Sequence, residues 1–146
     1  RRTSCAWCLC PIDPIDLPAG YFWSNMHTFA LLAAFMHVLF FFIETVIWGT
    51  AVANKIFKMN KEKSDIVKVF AQNQGFYNLF LALGVVYGVY SPKVAGECGD
   101  HIVVFCMRCM VAAALALLGT GGMKMKVGAL AQGVFPALAL YSASYQ

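Results

Sequence analysis

A chain of 146 residues with 60% hydrophobic and only 12% charged residues differs from ordinary soluble domains, in which roughly 25% of residues are charged. Its mean hydropathy of +0.67 favours a membrane protein, and the length allows one domain of about four membrane spans. Little sequence is left for a soluble domain or a large soluble cofactor. The net charge of +4 has no clustering typical of a nucleic-acid-binding protein.

The first 25 residues are predicted to form a tail outside the membrane domain. The segment PIDPIDLPAG contains two X-Pro steps, and the residue before a proline is biased toward extended backbone. The tail is therefore expected to run extended over the membrane surface or over a partner. The chain begins at Arg1 rather than methionine, so either a presequence has been removed, as cleavage of an organelle transit peptide would do, or the N-terminus is truncated.

Three of the six cysteines lie in this tail as C-x-x-C-x-C, at Cys5, Cys8 and Cys10. A zinc site needs four ligands, and no second cysteine pair or nearby histidine completes this one. A disulfide or free thiols therefore fit the tail better than a metal site, which stays an alternative.

Four apolar runs follow, at about residues 26–50, 69–90, 102–118 and 127–145. Each is near the length of about 20 residues with which a helix crosses a bilayer. None has the charged face of a surface helix in a soluble bundle. The sequence therefore predicts an all-α protein, with a four-transmembrane-helix bundle over residues 26–146 and an extended tail over residues 1–25.

The linkers between the runs predict the orientation of the bundle. Linkers 51–68 and 119–126 contain seven basic residues, whereas the opposite side has Arg1, Arg2 and Lys93. Positive charges are retained on the inner side, so both linkers should face the cytoplasm, matrix or stroma. Both termini should then lie on the lumenal or intermembrane-space side. The glycines of linker 119–126 suit a tight helical hairpin.

Polar side chains inside the apolar runs mark the candidate site. In hydrocarbon each polar group needs a partner, because an unpaired one costs several kcal/mol. The predicted intramembrane polar site contains His37, Glu44, Asn73, Gln74, Asn78, Arg108 and Gln132. Three interpretations are open: hydrogen bonds that join the helices, a pocket for a polar head group, quinone-like molecule or proton, and ligation of a pigment magnesium or another metal by a histidine or amide.

Helical spacing groups the polar residues by face and depth. His37 and Glu44 are seven residues apart, two turns on one face, and Gln74 and Asn78 are four apart on another. A rise of about 1.5 Å per residue brings Glu44, Gln74 and Gln132 to one level. Glu44 is therefore expected to face Gln74 or Asn78, or to share a bound group with them.

Arg108, in the third run, has three open interpretations. It pairs with Glu44, it snorkels to the far membrane surface, or it faces a partner subunit. Cys106 and Cys109 on the same run are expected to pack as small apolar residues. The sequence contains no Ser-His-Asp arrangement, H-E-x-x-H, P-loop or dinucleotide-binding motif, so enzymatic activity is uncertain and is not favoured.

Three motifs resemble those of a family of small, mostly bacterial four-span membrane proteins, catalogued as domain of unknown function thirteen-oh-four. They are H-x6-E-x3-W, NQGFYN and Q-x3-P-A-L-A-L, at residues 37–48, 73–78 and 132–140. The resemblance runs from about residue 27 to residue 140. It places the polar signature of the family on His37, Glu44, Trp48, Asn73, Gln74, Gly75, Tyr77, Asn78, Gln132 and Pro136. The family has no established activity, so the resemblance implies the fold and the polar site and no reaction. The tail and Arg108 depart from its pattern.

The favoured function is a non-catalytic accessory subunit of a larger organellar membrane complex. A photosystem–antenna supercomplex is the first choice for that complex, and a respiratory complex is the second. The added tail and the few soluble features favour it. The alternatives are a stand-alone membrane enzyme or carrier that uses His37 and Glu44, and a lipid-binding membrane module. The expected location is the thylakoid first and the mitochondrial inner membrane second. Expected partners are the lipid bilayer and other membrane subunits. Chlorophyll, carotenoid and lipid are the candidate cofactors, with His27 and His37 as candidate magnesium ligands.

Overall fold

A computed structural model of the chain describes residues 19–90 and 98–144. Within them all regular secondary structure is helical, which confirms the all-α class. In chain order the helices are α1 (Ala19–Phe41), a π turn (Phe42–Val46), α2 (Ala51–Ile56), α3 (Lys61–Ile66), α4 (Lys68–Tyr90), α5 (Cys98–Gly121), a 3-10 turn (Gly122–Met125) and α6 (Lys126–Ser144). The predicted extended course of the tail and its three cysteines fall in residues 1–18, outside the described part.

The four long helices form a bundle in which each packs against two neighbours. Helix α1 packs against α4 and α6, and α5 packs against the same two helices. The order around the bundle is therefore α1, α4, α5, α6, which is the order along the chain. This arrangement brings the end of α1 against the start of α4, where the polar residues of both helices lie.

Small residues and methionines fill the centre of the bundle. Alanines let helix backbones approach closely, and methionine is flexible enough to fill the irregular gaps between them. The buried core contains Met26, Ala30, Ala33, Ala34, Ala82, Val85, Val103, Cys106, Met107, Met110 and Ala139. Cys106 packs as a small apolar residue, as predicted, whereas Cys109 is only partly buried.

Several helix boundaries differ from the predicted ones. Helix α1 begins at Ala19, seven residues before the predicted start of the membrane domain at residue 26. Helix α5 continues to Gly121, and only the 3-10 turn separates it from α6. The predictions followed runs of apolar residues, but a helix backbone can continue through glycine, threonine and polar positions, because each lowers helix stability by only about 1 kcal/mol or less.

The first linker, residues 51–68, contains two short helices that were not predicted. Thr50 caps α2 by accepting from Ala53 N–H, and Asn60 caps α3 by accepting from Lys63 N–H at 2.9 Å. Both are residue types that favour the N-cap position. These helices have six residues each, too few to show a clear apolar period.

Trp48 joins this linker to the end of α1. Its indole Nε1 donates a hydrogen bond of 2.8 Å to the carbonyl oxygen of Ser64, which is fully buried. Its ring packs against Phe57 with the centroids 5.0 Å apart. Trp48, which the family resemblance marks as a signature residue, therefore holds both short helices against the bundle.

We expect the Trp48→Ala variant to open this linker locally. The loss of ring packing and of one hydrogen bond should raise the initial rate of trypsin cleavage at lysines in residues 55–68 by about tenfold or more. Trp48→Phe keeps the ring and should give an intermediate rate, and Phe70→Ala at an exposed position should leave it unchanged. Mass spectrometry of the fragments identifies the cleavage sites. Equal rates in all variants would contradict the assigned role of Trp48.

The two basic connections lie at the same end of the bundle. Lys58 Nζ donates to the carbonyl oxygen of Lys124, at 3.4 Å, and so links the first linker to the 3-10 turn. The lysines of both connections are exposed: Lys55, Lys58, Lys61, Lys63, Lys68, Lys124 and Lys126. The geometry thus agrees with the expectation that these connections share one side.

Within the described residues, two helical segments are long and apolar enough to cross a membrane, rather than the four that were predicted. They are Asn25–Val46, and the 46-residue Gly99–Ser144, which contains α5, the 3-10 turn and α6. Helix α4 has the length of a span, with 23 residues, but its first half contains the polar residues Gln72, Asn73, Gln74 and Asn78. These amides lower its mean hydropathy.

Candidate functional site

The site is built around the π turn at the end of α1. This turn contains Glu44, and it closes with Ile47 N–H donating to the carbonyl oxygen of Phe42 at 3.1 Å. A π turn inserts a residue into the helical register and is frequent at functional sites. Glu44 is buried in the bundle with 9% of its surface exposed, so its carboxyl group needs a partner from another helix.

Asn78 of α4 is that partner. Its Nδ2 donates a hydrogen bond of 2.8 Å to Glu44 Oε2, and both side chains are buried. Removing one partner of a buried hydrogen bond leaves the other group unpaired, at a cost of about 1–3 kcal/mol. The predicted approach of Glu44 to an amide of the second apolar run is therefore present, with Asn78 as the amide.

Gly75 permits this contact, because it lies one turn before Asn78 on the same face of α4. A Cβ atom at position 75 would collide with Thr45 Oγ1 and would lie 3.2 Å from Glu44 Cβ. Only a residue without a side chain lets α4 come this close to the π turn. Gly75, also a signature residue of the family resemblance, thus supports the polar contact through its small size.

Three polar side-chain atoms are buried without a hydrogen-bond partner in the described part of the chain. They are Asn78 Oδ1, Thr45 Oγ1 and His37 Nε2. Two lie in or beside the Glu44–Asn78 contact, and the third lies about two turns earlier in α1. Buried polar groups are nearly always paired, so these atoms have unused hydrogen-bonding capacity that a small hydrogen-bonding guest would satisfy. Water, a hydroxyl group and a proton have that chemistry. Thr45 was not among the predicted site residues, although its hydroxyl beside Glu44 in an apolar run was a readable signal.

His37 is a separate buried group. Its Nδ1 donates to the carbonyl oxygen of Ala33 at 2.9 Å, because a carbonyl can only accept, and this leaves a lone pair on Nε2. Its ring stands edge-on to Phe40, with the centroids 6.3 Å apart. Seven residues correspond to about 10 Å along a helix, so His37 and Glu44 do not form a direct pair.

The remaining predicted site residues lie apart from this cluster. Gln132 of α6 is buried in the bundle, but Asn73, Gln74 and Arg108 are exposed on its outer surface. The predicted alternative of Gln74 as the partner of Glu44 is therefore wrong. The inward residues of α4 are Gly75, Asn78, Ala82, Val85 and Gly88, and this helical face turns positions 73 and 74 away. An Arg108–Glu44 pair is not formed either, because Arg108 is exposed on the outside of α5 whereas Glu44 is buried against α4.

The other residues that the sequence resemblance marks divide in the same way. Pro136 is fully buried inside α6, which continues through it to Ser144, whereas Tyr77 is 53% exposed on the outer face of α4. Proline inside a helix leaves a carbonyl without its usual donor, so burial against neighbouring helices is the usual setting.

The described side chains do not assemble a metal centre. No three His, Cys, Asp or Glu residues converge within residues 25–90 and 99–144. His27 Nε2 lies 3.0 Å from Asp100 Oδ1, so this candidate magnesium ligand is engaged by a carboxylate. His37 is fully enclosed, and a pigment ring could reach its Nε2 only by displacing the surrounding helices. Cys5, Cys8 and Cys10 lie outside the described residues.

Comparison with known sequences gives one match. The family described as protein of unknown function (DUF1304) matches residues 31–144, more than three quarters of the chain. No curated protein and no solved structure matches the chain significantly. The matched segment contains the π turn, Gly75, Asn78 and Gln132, so the buried polar contact lies within the family domain. The chain therefore belongs to the DUF1304 family.

Proposed function

We propose that the protein is an integral membrane protein whose four long helices cross the bilayer, and that it serves as a non-catalytic accessory subunit of a larger membrane complex. The distribution of side chains supports the membrane setting. The interior contains His37, Glu44, Asn78 and Gln132, while large apolar and aromatic side chains cover the outside. A soluble monomer rarely exposes continuous apolar surface on this scale, whereas lipid favours it.

Burial within the apolar segments supports the same setting. Only 28% of the residues in each apolar window are buried inside the bundle, whereas the core helix of a soluble protein is mostly buried. Gly99–Ser144 has 46 residues, enough for two spans of about 20 residues joined by a turn. Helix α4 packs between α1 and α5, which supports a fourth span despite its amides.

The basic end of the bundle supports the orientation. The lysines of the first linker and of the 3-10 turn meet at one end, where the Lys58–Lys124 contact lies. Under the positive-inside tendency, this end faces the cytoplasm, matrix or stroma, and the N-terminus of α1 faces the other side. The thylakoid, the photosystem and respiratory settings and the pigment or lipid cofactors stay predictions from the sequence.

One observation favours the role of a subunit: Arg108 is exposed on the outer face of α5. It lies nine residues after Gly99, about 14 Å along the helix, near the middle of a hydrocarbon core of about 30 Å. A charge that faces lipid at this depth is costly, and such residues usually face protein or water. An outward arginine is therefore better explained by a neighbouring subunit than by an isolated bundle.

Sedimentation of native membranes in mild detergent tests this role. We expect the chain to migrate with an assembly several times heavier than its own 16.0 kDa, and to be released by a harsher detergent. A control membrane protein of similar size that is known to be monomeric defines the position of a single chain in its detergent micelle. Migration of the chain at that position after mild extraction would contradict the proposed role.

A second candidate, a stand-alone proton or small-molecule carrier, is supported by the unpartnered buried atoms Asn78 Oδ1, Thr45 Oγ1 and His37 Nε2. It requires that the purified chain alone moves protons or a solute across liposomes. Glu44→Gln should abolish that movement, because the amide preserves the shape and the hydrogen bond from Asn78 but cannot exchange a proton. Full activity in this variant would remove Glu44 from the mechanism.

A further inference from the structure

The outward face of α5 has a regular pattern of exposed residues. Every third or fourth position is exposed in the series His101, Phe105, Arg108, Ala112, Leu115 and Gly119. The opposite face is buried at Val103, Met107, Met110 and Ala114. A spacing of 3.5 residues keeps a stripe facing one partner helix along its length, and the small residues of the stripe permit close approach.

An open apolar groove adjoins this stripe. It lies between α5 and α6 toward the basic end, has a volume of about 440 Å³, and is lined on the α5 side by Val111, Ala114, Leu115 and Leu118. Leu115 belongs to both the groove and the stripe. A helix that follows the stripe past Arg108 would therefore continue along the groove and bury apolar surface there.

Arg108 determines the chemistry of the occupant. Among the described acids, Glu44 is buried and bonded to Asn78, and Asp100 lies beside His27, eight residues from Arg108 along α5. The other two, Glu62 and Asp65, are exposed in α3 at the basic end of the bundle, away from the depth of Arg108. A second copy of the described bundle thus offers no exposed carboxylate at the depth of Arg108. The geometry leaves a different protein with an acidic side chain as the complement of this charge.

On the basis of the proposed membrane-subunit role, we propose that the outward stripe of α5 docks a transmembrane helix of another subunit, and that this helix presents an Asp or Glu to Arg108. In the low-dielectric bilayer, a guanidinium and a carboxylate form a bidentate, charge-assisted hydrogen-bonded pair. The apolar residues of the stripe and the groove then pack against the rest of the partner helix.

Site-specific photocrosslinking in the native membrane tests this proposal. A photoreactive benzoylphenylalanine replaces Phe105, which lies one turn from Arg108 and is 66% exposed. In a matched control it replaces Phe35 of α1, which is 60% exposed. We expect the Phe105 probe to join one transmembrane helix that contains an Asp or Glu within about one turn of the adduct. Arg108→Leu should lower the adduct yield about tenfold, and Arg108→Lys, which keeps the charge but not the bidentate geometry, should give an intermediate yield.

Other outcomes would overturn the proposal. An adduct of twice the chain mass indicates a second copy, lipid adducts alone indicate an arginine that snorkels to head groups, and an unchanged yield in Arg108→Leu removes the charge from recognition. Circular dichroism checks that this exposed substitution leaves the fold intact. If the chain still sediments with a large assembly while Phe105 joins only lipid, the subunit role stands and this face is wrong. A single-chain particle without protein adducts at either position would refute both.

Discussion

Asn78→Leu should destabilise the folded protein by about 3 kcal/mol, because it leaves the Glu44 carboxyl buried without its hydrogen-bond donor. Leucine has the same branching and the same number of non-hydrogen side-chain atoms as asparagine, so the substitution removes the polar contact without opening a cavity. Reversible unfolding in mixed micelles, followed by circular dichroism, measures the free energy of unfolding.

Two variants separate the hydrogen bond from the charge. Glu44→Gln still accepts from Asn78 Nδ2, and we expect it to change the free energy of unfolding by less than about 1 kcal/mol. The double variant Glu44→Met/Asn78→Leu replaces both partners by apolar groups and should recover much of the stability, because neither buried polar group is then orphaned. An Asn78→Leu variant as stable as the natural chain would show that the contact does not hold α1 against α4.

Gly75→Ala should also be strongly destabilising, by about 2 kcal/mol, although alanine favours a helix over glycine. The added methyl group collides with Thr45 Oγ1 and crowds Glu44 Cβ, so α4 must move away from the π turn. The same movement would lengthen the hydrogen bond between Asn78 and Glu44. Thermal unfolding in detergent, compared among variants at one heating rate, gives the size of the effect.

Gly119→Ala is the matched control for this prediction. It adds the same methyl group to a long helix, but nothing lies within 4 Å of the new atom, so we expect unchanged or slightly higher stability. Adding Thr45→Ala to Gly75→Ala removes the colliding oxygen and should restore part of the loss. Equal effects of the two glycine substitutions would indicate that position 75 is not a close-packed contact.

Apolar runs and helical spacing were sufficient to predict the class and the four long helices, because both depend on local composition. Depth was predictable too, since a fixed rise per residue places Glu44 and the amides of α4 at one level. The rotation of each helix about its own axis was not predictable, and this rotation determines that Asn78 rather than Gln74 faces Glu44. The small residues at positions 75, 82 and 88 were the available indication of the inward face.

Two features of the site depend on tertiary packing and have no sequence signal of their own. The π turn at Glu44 forms where α4 packs against the end of α1. In the sequence alone, residues 42–46 cannot be distinguished from the continuation of an ordinary α-helix. The fold of residues 51–68 depends on Trp48, whose ring and indole nitrogen reach residues 9 and 16 positions later in the chain. In contrast, Thr50 and Asn60 are N-cap residue types, and they could have indicated both short helices.

Polar residues have two different roles in this chain, according to whether they lie inside the bundle or, like Arg108, on its outer surface. Residues inside the bundle, such as Glu44 and Asn78, are hydrogen-bonded to one another and fix the approach of α1 to α4. Arg108, exposed on α5, has no comparable inward role, and the proposed interface gives it a partner outside the chain. The same pattern predicts different phenotypes: loss of stability for the inner residues and loss of assembly for Arg108.

These interpretations require that α4 crosses the membrane, and side-specific thiol labelling tests that requirement most directly. In a background without native cysteines, Glu62→Cys, Tyr90→Cys and Met123→Cys place single exposed thiols at the start of α3, the end of α4 and the 3-10 turn. In sealed vesicles of known orientation, an impermeant maleimide should label positions 62 and 123 from one side and position 90 only from the other. Labelling of positions 62 and 90 from the same side would contradict the four-span architecture.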